Sequence, residues 1–178
     1  MKSVKSTLFA SLLMVAPITM VSAQEASFAI PQSIRLQHDQ IVSRLSSYSK
    51  HENPVGATAS KALAALNAHY AKEEAFVLPP LGLLPRIANG DLSKDMEPAI
   101  TMASRTRAAM PELENEHVQI TSLMNDLIEA GTKTHDDELV RLATRVAAQS
   151  LNHIEVLVPT TIMIGDYLRQ LSTVTHSK

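Results

Sequence analysis

From residue 32 onward the apolar positions step by three and four, and no segment alternates with the period of two that a half-buried strand requires. This stepping predicts long helices over residues 32–50, 56–78, 93–131 and 134–171, with a shorter helical piece over 81–89. Breakers separate them: Glu52-Asn53-Pro54, Pro79-Pro80, Gly90, and Gly131 before the capping candidates Thr134 and Asp136. Pro111 and Pro159 fall inside periodic segments and predict kinks rather than ends. Four long helices with short connections predict an all-α, up-down-up-down four-helix bundle.

In such a bundle each helix buries one seam. The seams read Ile34, His38, Ile41, Leu45, Tyr48; then Ala62, Leu66, His69, Glu73, Phe76; then Thr106, Met110, Leu113, His117, Ile120, Met124, Leu127; and last Leu139, Leu142, Val146, Gln149, His153, Val156, Thr160, Met163. Each is mostly apolar, and each is interrupted near its middle by side chains that can bind metal. The interruptions are His38, His69 with Glu73, His117, and Gln149 with His153. Facing seams bring these groups to one level of the core.

Burial of such groups is costly unless something satisfies them. An unpaired buried carboxylate costs at least several kcal/mol, and each unmatched imidazole adds on the order of 1 to 3 kcal/mol. A divalent cation held by neutral imidazoles and one carboxylate removes most of that cost, and bundle cores accommodate such sites. A lone histidine on a seam is more often a hydrogen-bonded core residue, and a lone Glu73 would by default be solvated. The joint pattern, one histidine per helix with a glutamate a turn away, points to a metal. Glu74, Glu116 and Glu155 lie one or two positions off the seams, which places them at the surface or against a ligand rather than on the ion. His51, His135 and His176 fall at a helix end, a loop and the tail, and Met110, Met124 and Met163 read as packing.

The first residues change the picture of where this chemistry takes place. Lys2 and Lys5 precede an apolar run from Leu8 to Ile18, and Val-Ser-Ala stands before Gln24. That is the order of a secretory signal peptide over residues 1–23, leaving residues 24–178 as one domain in the periplasm or outside the cell, with no membrane segment once the leader is cut. Without Lys2 and Lys5 the 16 basic residues become 14 against 18 acidic ones, a formal charge of −4. No basic run invites nucleic acid. Cysteine is absent, which excludes disulfides, thiolate metal sites, iron–sulfur clusters and covalently attached haem. Nothing resembles a nucleophile–histidine–acid set, a phosphate loop or a dinucleotide fingerprint, so no catalytic residue stands out.

Four stretches carry a family likeness: HDQIVSRL from His38, HYAKEEAFVLPPLGLL from His69, ENEHVQI from Glu114 and EVLVPTTIMIGDYL from Glu155. Together they resemble bacterial hemerythrin-like proteins with the HHE cation-binding domain, over about His38 to Leu168. The helix-two stretch is the most specific, with HxxxE followed by an apolar run and proline. The resemblance implies a four-helix bundle around a non-haem, usually dinuclear, iron site, with His38, His69, Glu73 and His117 as ligands and O2 or NO binding, sensing or metal handling as the task. Helix four departs from the pattern. Aligned on its downstream VLVP, the chain has Gln149 where the family has histidine and His153 where it has a carboxylate. A bridging carboxylate offsets the repulsion between two cations, so this exchange disfavours a dinuclear iron site. One ion, or zinc or copper in place of iron, is the expectation that follows, with His153 a ligand and Gln149 a weak one. The rival expectation is a metal-free bundle acting as an exported interaction protein.

Overall fold

The computed structural model describes residues 28–175, so the leader expected over residues 1–23 lies outside the described residues. Among the described residues every regular element is helical and no strand occurs. Helix α1 (Gln32–Tyr48) precedes α2 (Pro54–Lys72), which runs directly into a five-residue π turn, Glu73–Val77. A 3-10 segment (Pro79–Leu83) and the short α3 (Leu84–Ala88) end at Gly90, whose φ of 73° belongs to the left-handed region that glycine enters without strain. The long α4 (Glu97–Thr134) follows, then α5 (Asp137–Asn152), a second π turn (His153–Leu157) and α6 (Val158–Thr175). None of these helices is long and apolar enough to cross a membrane.

Local chemistry sets several of the boundaries. The Asn53 side chain accepts a hydrogen bond from the Gly56 amide at 2.9 Å with Pro54 in the first turn, and Asp136 does the same for Leu139 at 2.9 Å. Tyr48 donates to that same Asp136 carboxylate at 3.2 Å and so ties the end of α1 to the start of α5. Pro111 sits exposed within a helix that continues unbroken on both sides.

The two π turns share a design. Each is closed by an i to i+5 bond, Leu78 N–H to Glu73 O at 2.7 Å and Val158 N–H to His153 O, and the residue after that closing amide is a proline, Pro79 or Pro159. Pro80 has no N–H to offer Phe76 O, and the Leu81 amide turns to Leu78 O instead. The freed carbonyls are met by fully buried threonines: Thr106 shares its hydroxyl proton between Phe76 O at 3.2 Å and Met102 O at 2.9 Å, and Thr161 donates to Val77 O at 2.5 Å.

The second turn also corrects the seam expected for the last helix. An inserted residue rotates everything after it by roughly 100° about the axis. Val156 and Met163, expected inside, are 50% and 70% exposed, while Val158, Thr161, Ile164 and Leu168 face the core. Gly165 belongs to that rotated face, where α6 comes so close to α4 that an added Cβ would sit 2.2 Å from Ala103 Cβ.

The core is layered. One apolar cluster joins Ile41, Leu45, Leu66, Ile120, Met124, Leu139, Leu142 and Val146. Others gather Phe76, Val77, Leu113 and Val158, and beyond them Leu78, Met96, Ile164 and Leu168. Between the first cluster and the second lies a buried polar layer: His38, His69, Glu73, His117, Gln149 and His153.

Candidate metal centre

Helical spacing delivers these side chains. His69 and Glu73 are one turn apart at the end of α2, and Gln149 and His153 are one turn apart at the end of α5, so each pair shares a face. Glu73 and His153 each open a π turn. The two pairs therefore hold equivalent places in two similar helical units.

At the middle stands Glu73, 0% exposed. His153 Nδ1 lies 2.8 Å from its Oε1 and 3.0 Å from its Oε2 and donates to the carboxylate. His69 Nε2 is 3.1 Å from Oε1 but outside hydrogen-bond geometry, and His38 Nε2 stands 3.7 Å from Oε2. The His69 and His117 rings meet edge to face, 4.3 Å between centroids. One donor atom from each of His69, Glu73, His117 and His153 lies within 4.8 Å of every other. His38 is beside Glu73 but outside this set of four. Gln149 is brought in through His153, its amide nitrogen 3.2 Å from His153 Nε2.

Outer groups fix the rings. His69 Nδ1–H donates to Glu116 Oε2 at 2.8 Å, and Glu116 is bound in turn by Lys72, which also holds Glu112. His117 Nδ1–H donates to the Leu113 carbonyl at 2.7 Å. Each bond leaves the Nε2 lone pair of its ring turned toward the centre. Tyr70 stacks on His38 with centroids 3.6 Å apart and planes within 5°. Glu116 thus touches a ligand candidate, as its off-seam position suggested. The part of Tyr70 was not legible, because a residue adjacent to His69 points about 100° away from it along a helix. Glu74 is 3.6 Å from His38 Nδ1, too far for a hydrogen bond, and Glu155 is exposed. His51 and His135 are exposed, and His176 lies outside the described residues.

The electrostatics follow from burial and proximity. Burial alone would raise the Glu73 carboxyl, but His153 and His69 outweigh it and hold the group at about 2. Burial lowers His38 to about 4 and lowers His117 as well. For His69 burial works the same way, yet Glu73 and Glu116 overcome it and raise the ring above its ordinary value.

The buried nitrogens His38 Nδ1 and Nε2, His69 Nε2 and His117 Nε2, with Gln149 Oε1, have no hydrogen-bond partner. Orphans of this kind are rare and costly, and here they crowd around one carboxylate. Imidazoles and one carboxylate fit a borderline divalent cation such as zinc, ferrous iron or copper, so the residues present suit a metal ion. Compared with family models, with curated proteins and with solved structures, the chain matches none.

Proposed function

We propose that this chain is an exported metal-binding protein of the hemerythrin-like kind, an up-down-up-down four-helix bundle holding non-haem iron at His69, Glu73, His117 and His153. The observation that carries the reading is the set of unpartnered ring nitrogens gathered around a fully buried carboxylate. A cation held there satisfies the lone pairs of His69 Nε2 and His117 Nε2 together and neutralises Glu73 without a buried counter-charge from the protein. The bundle topology is supported by the order of the layers: α1 and α4 reach their histidines before Ile41 and Ile120, whereas α2 and α5 reach theirs after Leu66 and Val146. Export rests on the pattern of residues 1–23.

When bound, the ion supplies a position for a small diatomic such as O2 or NO. The chain's own work is orientation and exclusion of water. Glu116 and the Leu113 carbonyl hold the rings of His69 and His117, and the apolar clusters on either side of the layer keep bulk solvent out.

Mature protein, stripped of metal and titrated anaerobically with Fe(II), and separately with Zn(II) and Cu(II), is expected to retain stoichiometric metal through gel filtration, with a new ultraviolet or visible band for iron or copper. Failure to retain any of the three would remove the proposal. The hydrogen bonds from His153 to Glu73 favour a second reading, a metal-free polar network in an interaction protein. That outcome of the titration would support it.

A further inference from the structure

We propose that the centre holds a single ion on one side of Glu73, and that His38, on the other side, is not a ligand but the hydrogen-bond donor that meets a small molecule brought to that ion. The inference rests on the metal-binding reading above and deepens it.

Glu73 is two-sided. Its Oε1 faces His69 at 3.1 Å and its Oε2 faces His38 at 3.7 Å, with His153 Nδ1 lying against both oxygens at 2.8 and 3.0 Å. Nitrogen and oxygen ligands bind at roughly 2.1 Å, so two donors to one ion can be separated by at most about 4.2 Å. The four donors within 4.8 Å need only a slight contraction to reach that limit. His38 is not among them. A second ion beside Oε2 would find one unshared imidazole, with no second buried carboxylate among the described residues to offset repulsion between two cations.

The support around the rings separates His38 from the others. Ligating histidines ordinarily have their second nitrogen tied to a carboxylate or carbonyl, which fixes the tautomer. His69 has Glu116 and His117 has the Leu113 carbonyl, each with Nε2 left over, and His153 has Glu73 on Nδ1 and the Gln149 amide on Nε2, the second of which must give way for that nitrogen to bind an ion. His38 has none, since Glu74 at 3.6 Å is out of reach, and both of its nitrogens are buried and unpartnered. What holds the ring is the face of Tyr70. A neutral imidazole carries one N–H whichever tautomer it adopts, and here no protein atom accepts it. The ligand class is therefore a small molecule with a hydrogen-bond acceptor.

The test uses mature protein loaded with Co(II), whose visible spectrum reports coordination, and azide as the probe. The parent is expected to bind one Co(II). In His38→Leu the Co(II) affinity should stay within about threefold of the parent, while azide binding weakens about tenfold, the effect of losing one hydrogen bond. His38→Gln keeps an N–H donor and should bind azide within about threefold of the parent. A loss of Co(II) affinity of about tenfold or more in His38→Leu, two Co(II) ions per parent chain, or unchanged azide binding would each overturn the proposal. Parent protein that takes up no Co(II) would overturn the metal reading itself, an outcome separate from any of these.

Discussion

Replacement of His117 by leucine should do two opposite things. The side chain is 6% exposed, its Nδ1–H donates to the Leu113 carbonyl at 2.7 Å, and its Nε2 has no partner. Without metal, the orphaned nitrogen costs about 1 to 3 kcal/mol and the Leu113 hydrogen bond returns about 0.5 to 1.5. The Leu113 carbonyl keeps its bond to the backbone amide one turn on, so leucine leaves no new orphan. Metal-free His117→Leu is accordingly expected to be more stable than the parent by about 1 kcal/mol, or about 2 to 4 °C in Tm for a domain of this size. With metal at about one hundred times its Kd, the parent gains about 2.7 kcal/mol. A variant short of one donor and bound about a hundredfold more weakly gains under about 0.5 kcal/mol at the same concentration. Thermal unfolding by circular dichroism, with and without Zn(II), reads both effects. A metal-free variant less stable than the parent would refute the orphan argument, and a variant that keeps the full metal-induced rise would show that His117 is no donor.

Other outcomes follow from the same geometry. Glu116→Gln should weaken metal binding roughly ten- to hundredfold at unchanged stoichiometry, because His69 loses the carboxylate that orients it; isothermal titration checks this, and parental affinity would count against it. Metal-free protein should lose stability as pH falls. His38 has a folded value of about 4 against 6.5 and His117 is also lowered, so the unfolded chain binds more protons and stability present above about pH 6.5 is lost toward pH 4, by at most about 3 kcal/mol for His38. Glu73, at about 2 against 4.5, extends the loss further into acid, whereas the raised value of His69 adds stability below 6.5 that is lost on the alkaline side. Urea unfolding across that range should show falling midpoints, and flat midpoints would contradict it. Gly165→Ala should destabilise by about 1 to 2 kcal/mol despite the better helix former, since its Cβ would fall 2.2 Å from Ala103 Cβ; a variant with parental or higher Tm would show that α4 and α6 can part cheaply.

The helical class, most of the breaks between helices and the inward faces up to the polar layer are written in the order of residues along the chain. These are local properties: period, caps and breakers act within a turn or two of chain. Single residues such as Asn53, Asp136 and Gly90 carry them, and His38, His69, Glu73, His117, Gln149 and His153 were legible for the same reason, as interruptions of a periodic seam. Tertiary structure decided what periodicity cannot encode. A π turn before Pro159 rotates the last helix and turns Val156 and Met163 outward, because one inserted residue shifts a helical face by roughly 100° with no change in the spacing upstream. The stacking of Tyr70 on His38 and the two-sidedness of Glu73 also emerge only in the fold. They depend on how rings from different helices meet, and that is fixed by packing between helices, not by any pattern along one of them.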